Sequence, residues 1–277
     1  MDRVGSGCVL AAIAVAAGGC YAPSPPEGAP CSAAGDCPSG LVCDDVTKRC
    51  TRAPADAPAD APADAPGDAP VPDLVDSFSR PDGPSLGNGW IEKLPSTYAL
   101  AGGEVVRIDT PESYRDNMVY RPASEDVRDV EVSIRVRFTA SPPGYAQVFV
   151  RADSATIAAP DSYDGYLLYI VGDVTDEAVL GRQRGSVFVT TLSKVSLSPP
   201  LDAGSTFRLT LRATGAQPVA LRARIERLES GAWTTIGAAA TEDAAASQIT
   251  AAGTVGFSGH ELATYVYDDF QRTPLAR

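Results

Sequence analysis

The chain has no histidine except His260, no cysteine beyond Cys50, no lysine- or arginine-rich cluster, and only a short apolar run at its N-terminus. These gaps narrow the possible functions. A single histidine leaves His260 as the one imidazole for a Ser-His-Asp arrangement, and Gly256-Phe257-Ser258-Gly259-His260 has no following helix to make a nucleophile elbow. With no basic stripe and a net charge of -12, nucleic acid is not an expected partner. The apolar run Val9 to Ala17 is about nine residues, roughly half of what a bilayer-spanning helix requires, yet long enough for the central region of an export signal.

At the end of that run, Val15-Ala16-Ala17-Gly18-Gly19-Cys20 resembles the lipobox of bacterial lipoproteins. The resemblance implies cleavage before Cys20, removal of residues 1–19 as a signal peptide, and acylation of the Cys20 thiol. Chains worth about 0.8 kcal/mol per buried methylene would then hold the mature protein on a membrane without spanning it. The implied location is the bacterial cell envelope, on the outer membrane, with the membrane itself as first partner.

Composition divides the rest. Residues 20–30 form a Pro-rich leash. Residues 31–50 carry Cys31, Cys37, Cys43 and Cys50 at intervals of five, five and six intervening residues, with turn residues Gly35-Asp36 and Pro38-Ser39-Gly40. A module so small and so poor in apolar residues cannot fold on hydrophobicity alone. Two disulfides of this loop size contribute about 3 kcal/mol each, and export favours oxidation over a zinc site, whose paired C-x2-C spacing is absent. Three connectivities can be drawn; the staggered one, Cys31–Cys43 with Cys37–Cys50, crosslinks the most chain and is preferred. Residues 51–75 contain the Ala-Pro-Ala-Asp repeat of Ala53 to Pro70. Its prolines forbid helix and favour polyproline II at about 3.1 Å per residue, so this tract reads as a spacer of roughly 55 Å.

Residues 76–277 read as all-β. Val130, Val132, Ile134, Val136 and Phe138 alternate with Glu131, Ser133, Arg135 and Arg137, the pattern of a half-buried strand. Phe207, Leu209 and Leu211 repeat it. Gln147 to Arg151 and Tyr166 to Val171 are apolar on both faces and read as strands covered on both sides. Val219 to Leu228 also fits a helix, but its neighbours are strands and it is assigned as one. Turn residues such as Pro199-Pro200, Thr214-Gly215 and Ser230-Gly231 divide about twelve short strands, which predicts a two-sheet antiparallel sandwich or barrel. Both ends of the region carry Asp-x-Phe-x-Arg, at Asp76 to Arg80 and Asp268 to Arg272. Antiparallel pairing with Phe78 opposite Phe270 would set Asp76 against Arg272 and Arg80 against Asp268.

The opening Asp76-Ser77-Phe78-Ser79-Arg80-Pro81-Asp82-Gly83-Pro84, continuing to Gly87-Asn88-Gly89-Trp90, resembles the start of concanavalin A-like lectin/glucanase domains, which include the laminin G-like jelly rolls. Gly253 to Phe257 and Tyr265 to Phe270 resemble their final two strands. The resemblance implies a jelly roll over about residues 76–272, a fold shared by lectins, hydrolases and adhesion modules. It also implies an expectation about metal, because related jelly rolls often hold a structural calcium near the end strands through hard oxygen ligands. Asp76, Asp268 and Asp269 are the candidates, although the ion-pair reading uses two of them without metal. The Glu-x-Asp-x-x-Glu strand of laminarinases is missing; Asp129-x-Glu131 is the nearest approach, so no catalytic residue is assigned. For glycan contact the candidate aromatics are Trp90, Tyr114, Tyr145, Tyr163, Tyr169 and Trp233, and Asp161, Tyr163 and Asp164 form the candidate ligand rim. A non-enzymatic surface lipoprotein whose domain contacts a polysaccharide or an envelope protein is the expectation. A structural envelope component or a divergent glycoside hydrolase is the alternative.

Overall fold

The computed structural model describes residues 29, 31, 32, 37, 41–44, 47–52, 71–109, 113, 115–140, 145–172, 176–260 and 265–276. Cys20 and the repeat Ala53 to Pro70 lie outside them. The chain divides into two units, Met1–Gly67 and Asp68–Arg277. In the first, β1 (Leu41–Asp44) and β2 (Arg49–Arg52) form a hairpin with Cys43 opposite Cys50. Disulfides join Cys31 to Cys43 and Cys37 to Cys50, the staggered connectivity, and Cys50 is fully buried. The backbone N–H of Cys31 donates to Lys48 O and that of Cys50 to Ala29 O.

The second unit is a sandwich of two antiparallel sheets, a jelly roll. In chain order its strands are β3 (Leu74–Asp76), β4 (Ile91–Glu92), β5 (Tyr98–Ala101), β6 (Glu104–Arg107), β7 (Met118–Tyr120), β8 (Val130–Phe138), β9 (Tyr145–Ala152) and β10 (Gly165–Val171). They continue with β11 (Glu177–Gln183), β12 (Thr190–Ser196), β13 (Thr206–Thr214), β14 (Val219–Glu229), β15 (Ala232–Asp243), β16 (Thr254–His260) and β17 (Tyr265–Pro274). Sheet I runs β15-β14-β13-β8-β17-β6-β5, with β3 also on β17; sheet II runs β12-β11-β10-β9-β16-β7-β4.

Strand β8 buries Val130, Val132, Ile134, Val136 and Phe138, and the stretch that could also have been helical is the eleven-residue β14. The inner faces interdigitate through Val132, Ile134 and Val136 of β8, Leu209 and Leu211 of β13, and Val148, Leu168 and Phe257 of sheet II. A buried polar bridge crosses the core. Arg182 of β11 donates to Asp243 of β15 at 2.5 and 2.6 Å, and Tyr166 Oη donates to the same carboxylate at 2.8 Å. Burial drives the Tyr166 hydroxyl up to about 12, with the neighbouring Asp243 charge adding to it.

The first and last strands are antiparallel neighbours, but in a different register from the one the echo suggested. Asp76, not Phe78, sits opposite Phe270, and Arg272 faces Leu74. The reason is local. Asp76 Oδ1 accepts from Phe78 N at 2.8 Å and from Arg80 Nη1 at 2.7 Å, while Oδ2 accepts from Asn88 Nδ2 at 3.0 Å and Trp90 Nε1 at 2.7 Å. That turn ends β3 and puts Phe78 at φ +52, from where its ring enters the core against Trp90 and Phe257. Arg272 pairs instead with Glu125 at 2.6 Å, and Asp268 with Arg135.

Candidate functional site

Among the described residues, the outer face of sheet II is covered over part of its area. Phe149, Leu167, Met118 and Ala152 form a second apolar cluster there with Ile157 and Tyr163, supplied by the segment between β9 and β10. This accounts for the double-sided apolar pattern of β9 and β10. Towards the other end of the same strands the residues change character. The register sets Tyr145 beside Val171 and Gln147 beside Tyr169, with Ser258 of β16 on the other side of Gln147. The Tyr145 and Tyr169 rings stack at 4.5 Å with 27° between planes, and both are half-buried. Gln147 lies fully buried beside them; its Oε1 accepts from Tyr145 Oη at 3.1 Å and its Nε2 donates to Tyr163 Oη at 3.5 Å. Ser258 Oγ is buried with no hydrogen-bond partner among the described residues. Further along the same rungs Val179 lies beside Tyr169 and Lys194 beside Val179, while Glu177 lies beside Val171. Lys194 Nζ pairs with Glu177 at 3.1 Å across that edge. The loop after β11 adds an aromatic of the opposite kind: Val189 packs on the outer cluster while its neighbour Phe188 stands 91% exposed.

The three residues read as a ligand rim are placed differently from one another. Tyr163 is fully buried and belongs to the cover. Asp161 accepts from Ser113 Oγ and from Arg115 Nη1 at 2.7 Å, contacts that hold its carboxyl below the usual range. Asp164 accepts from Arg184 Nη1 at 2.5 Å and Gly185 N at 2.7 Å. Lys93 donates to Ser162 O at 2.8 Å and pairs with Asp116 at 3.3 Å; burial pushes its ammonium down against the pull of that carboxylate. The loop is therefore stapled from three sides by cations and is a wall of the face more than a freely reaching rim.

Of the other aromatics, Trp90 is in the core between Phe257 and Phe270, Trp233 lies under Arg208 at 4.5 Å, and Tyr114 falls outside the described residues. Asp76, Asp268 and Asp269 do not converge as a group: Asp76 faces Arg80, and the other two share Arg135. Among the described residues the one close trio of metal-type donors is Cys31, Cys37 and Cys43, which are disulfide-bonded. Asp129 pairs with the fully buried Arg151 at 3.2 Å and accepts from Gly215 N, a structural role, while Glu131 lies on the outer face of sheet I. Ser258 and His260 lie along β16, not at a strand-to-helix turn.

Gln147 and Phe188 were not singled out in the sequence. A glutamine between two aromatics in an otherwise apolar strand was the available signal for the first. Nothing local distinguishes Phe188 from a core phenylalanine.

No protein-family model matches the sequence, and no curated protein does. Among solved structures the chain is similar to the carbohydrate-binding module CBM66 from Bacillus subtilis, at 14% identity over 66% of this chain and 94% of that one, with a TM-score of 0.47. It is also similar to a Bacillus subtilis protein of unknown function with a galectin-like fold, at 14% identity over 63% and 83%, with a TM-score of 0.43. A variant of the GH43 protein BlXynB from Bacillus licheniformis is 16% identical over 73% of this chain, with a TM-score of 0.47, and the chain spans 39% of its length. These are similarities of fold.

Proposed function

We propose that this is a non-catalytic surface module that binds glycan on the outer face of sheet II, carried outward from a lipid anchor at Cys20 in the bacterial envelope. The observation that carries the binding half is the Tyr145–Tyr169 stack over the buried Gln147 amide. Sugar rings present an apolar C–H face and a rim of hydroxyls, and a site for them combines an aromatic surface with a few fixed polar groups. Here the stack offers the surface, and the Tyr145 hydroxyl, held by the buried Gln147 amide, is its fixed polar group. The Lys194–Glu177 pair closes the edge with charge in place of an apolar wall.

The lipobox-like Val15 to Cys20, the disulfide module and the Pro-rich spacer support the anchoring half, since together they hold a domain away from a surface. Titration of the full chain against a panel of neutral oligosaccharides tests the binding. Tyr169→Ala is expected to weaken a bound oligosaccharide roughly tenfold, in line with about 1 kcal/mol or more for an aromatic contact. A panel without binders would leave a structural envelope component as the reading. Release of reducing ends would convert it to a hydrolase. A mass spectrum of the mature N-terminus lacking acyl groups on Cys20 would remove the anchor.

A further inference from the structure

The outer face of sheet I carries a groove of about 550 Å³ across β8, β13, β14 and β15. Its residues follow two rungs of the ladder. In one, Glu131, Arg212, Arg222 and Ala240 lie side by side; in the next on this face, Ser133, Thr210, Arg224 and Ala238 do. Arg212 and Arg222 are thus directly opposed like charges, an arrangement that destabilises a strand pair.

The neighbouring arginines of this face are neutralised. Arg135 meets Asp268, Arg137 meets Glu104 at 2.6 Å, and Arg208 and Arg224 share Glu226 at 2.8 and 3.5 Å. Arg212 and Arg222 have no ion-pair partner among the described residues, even with Glu131 next to Arg212 on the ladder. Thr210, which lines the same groove, is 6% exposed, and its Oγ1 has no hydrogen-bond partner among the described residues. Alanines at 238 and 240 leave the opposite wall low and apolar.

We infer that this groove is a second ligand site, distinct from the face of sheet II, and that it takes the carboxylate of an acidic saccharide, a uronic acid. Guanidinium groups present a planar fork that binds a carboxylate through two parallel hydrogen bonds. The groove is larger than a bare oxyanion and falls in the range of small-molecule sites. The alanine wall accepts the apolar face of the ring. An anion here also relieves the Arg212–Arg222 repulsion, so the unliganded strand pair carries a strain that binding removes.

Calorimetric titration of the full chain with hexameric oligogalacturonate, neutral maltohexaose and sodium sulfate tests the inference. The uronate binds, more weakly as salt rises. R212A/R222A weakens it by about tenfold or more, the loss of charge-assisted hydrogen bonds, without changing the circular dichroism spectrum. Tyr169→Ala leaves uronate affinity unaltered, and any maltohexaose affinity is the same in R212A/R222A as in the parent chain. The inference is overturned by an absence of uronate binding, by uronate affinity unchanged in R212A/R222A, or by sulfate binding as tightly as the hexamer. Uronate binding lost in Tyr169→Ala alone would also overturn it, by moving the ligand to sheet II.

Discussion

Asp76 shows how much one side chain organises. Its carboxylate accepts from Phe78, Arg80, Asn88 and Trp90, so it ends β3, turns the chain and orients the indole that packs on Phe257 and Phe270. Burial opposes its ionisation, but the hydrogen bonds from Arg80, Asn88, Trp90 and Phe78 prevail and hold its pKa at about 2. A depressed carboxylate stabilises the fold above its unfolded value of 3.8 and loses that contribution as pH falls through about 2. The difference corresponds to roughly 2 kcal/mol. Urea titrations between pH 5 and pH 2 should therefore show a loss of stability in this window that is absent in Asp76→Asn, and Asp76→Ala should be destabilised by about 3 kcal/mol at neutral pH. Arg222→Glu is expected to act in the opposite direction. Placing a carboxylate opposite Arg212 replaces repulsion with attraction, for a gain of about 0.2–1 kcal/mol in unfolding free energy measured with urea.

Among the elements, alternation made the long strands legible. β8 and β13 are half-buried in the period the side chains display, and Ser230-Gly231, at φ +50 and +84, forms the tight turn joining β14 to β15. The short strands β3, β4, β5 and β7 were harder to see, since two to four residues carry no period of their own; they are held by neighbours in the ladder. The Asp-x-Phe-x-Arg echo identified the right partners and the wrong register, because the hydrogen bonds that Asp76 makes within its own turn compete with cross-strand ion pairs. β16 depends on a close approach. A Cβ at Gly256 would collide with the carbonyl oxygen of Val119 on β7. Gly256→Ala should cost about 1–3 kcal/mol in chemical denaturation, the usual magnitude of overpacking.

For the molecule as a whole, the cysteines divide the two units sharply. Both disulfides lie in the hairpin unit, and Asp68–Arg277 contains no cysteine. Reduction should abolish the fold of the small unit and leave the melting temperature of the jelly roll unchanged by calorimetry, because a module without an apolar core depends on its crosslinks and the sandwich has a core of its own.

Side-chain period, turn residues and cysteine spacing are local properties, so the class of fold, the long strands and the concentration of disulfides near the N-terminus could be read from amino-acid order alone. The same order made Tyr145 and Tyr169 candidates for ligand contact. Which candidates meet was left to the folded chain. Tyr145 and Tyr169 lie on different strands and stack only because β9 and β10 pair in one register. Tyr163 is drawn into the cover of sheet II, Asp268 and Asp269 are claimed by an arginine of another strand, and Arg212 and Arg222 become opposed neighbours. Those outcomes depend on register and on competition for partners across the sheet, neither of which is encoded within any single stretch of chain.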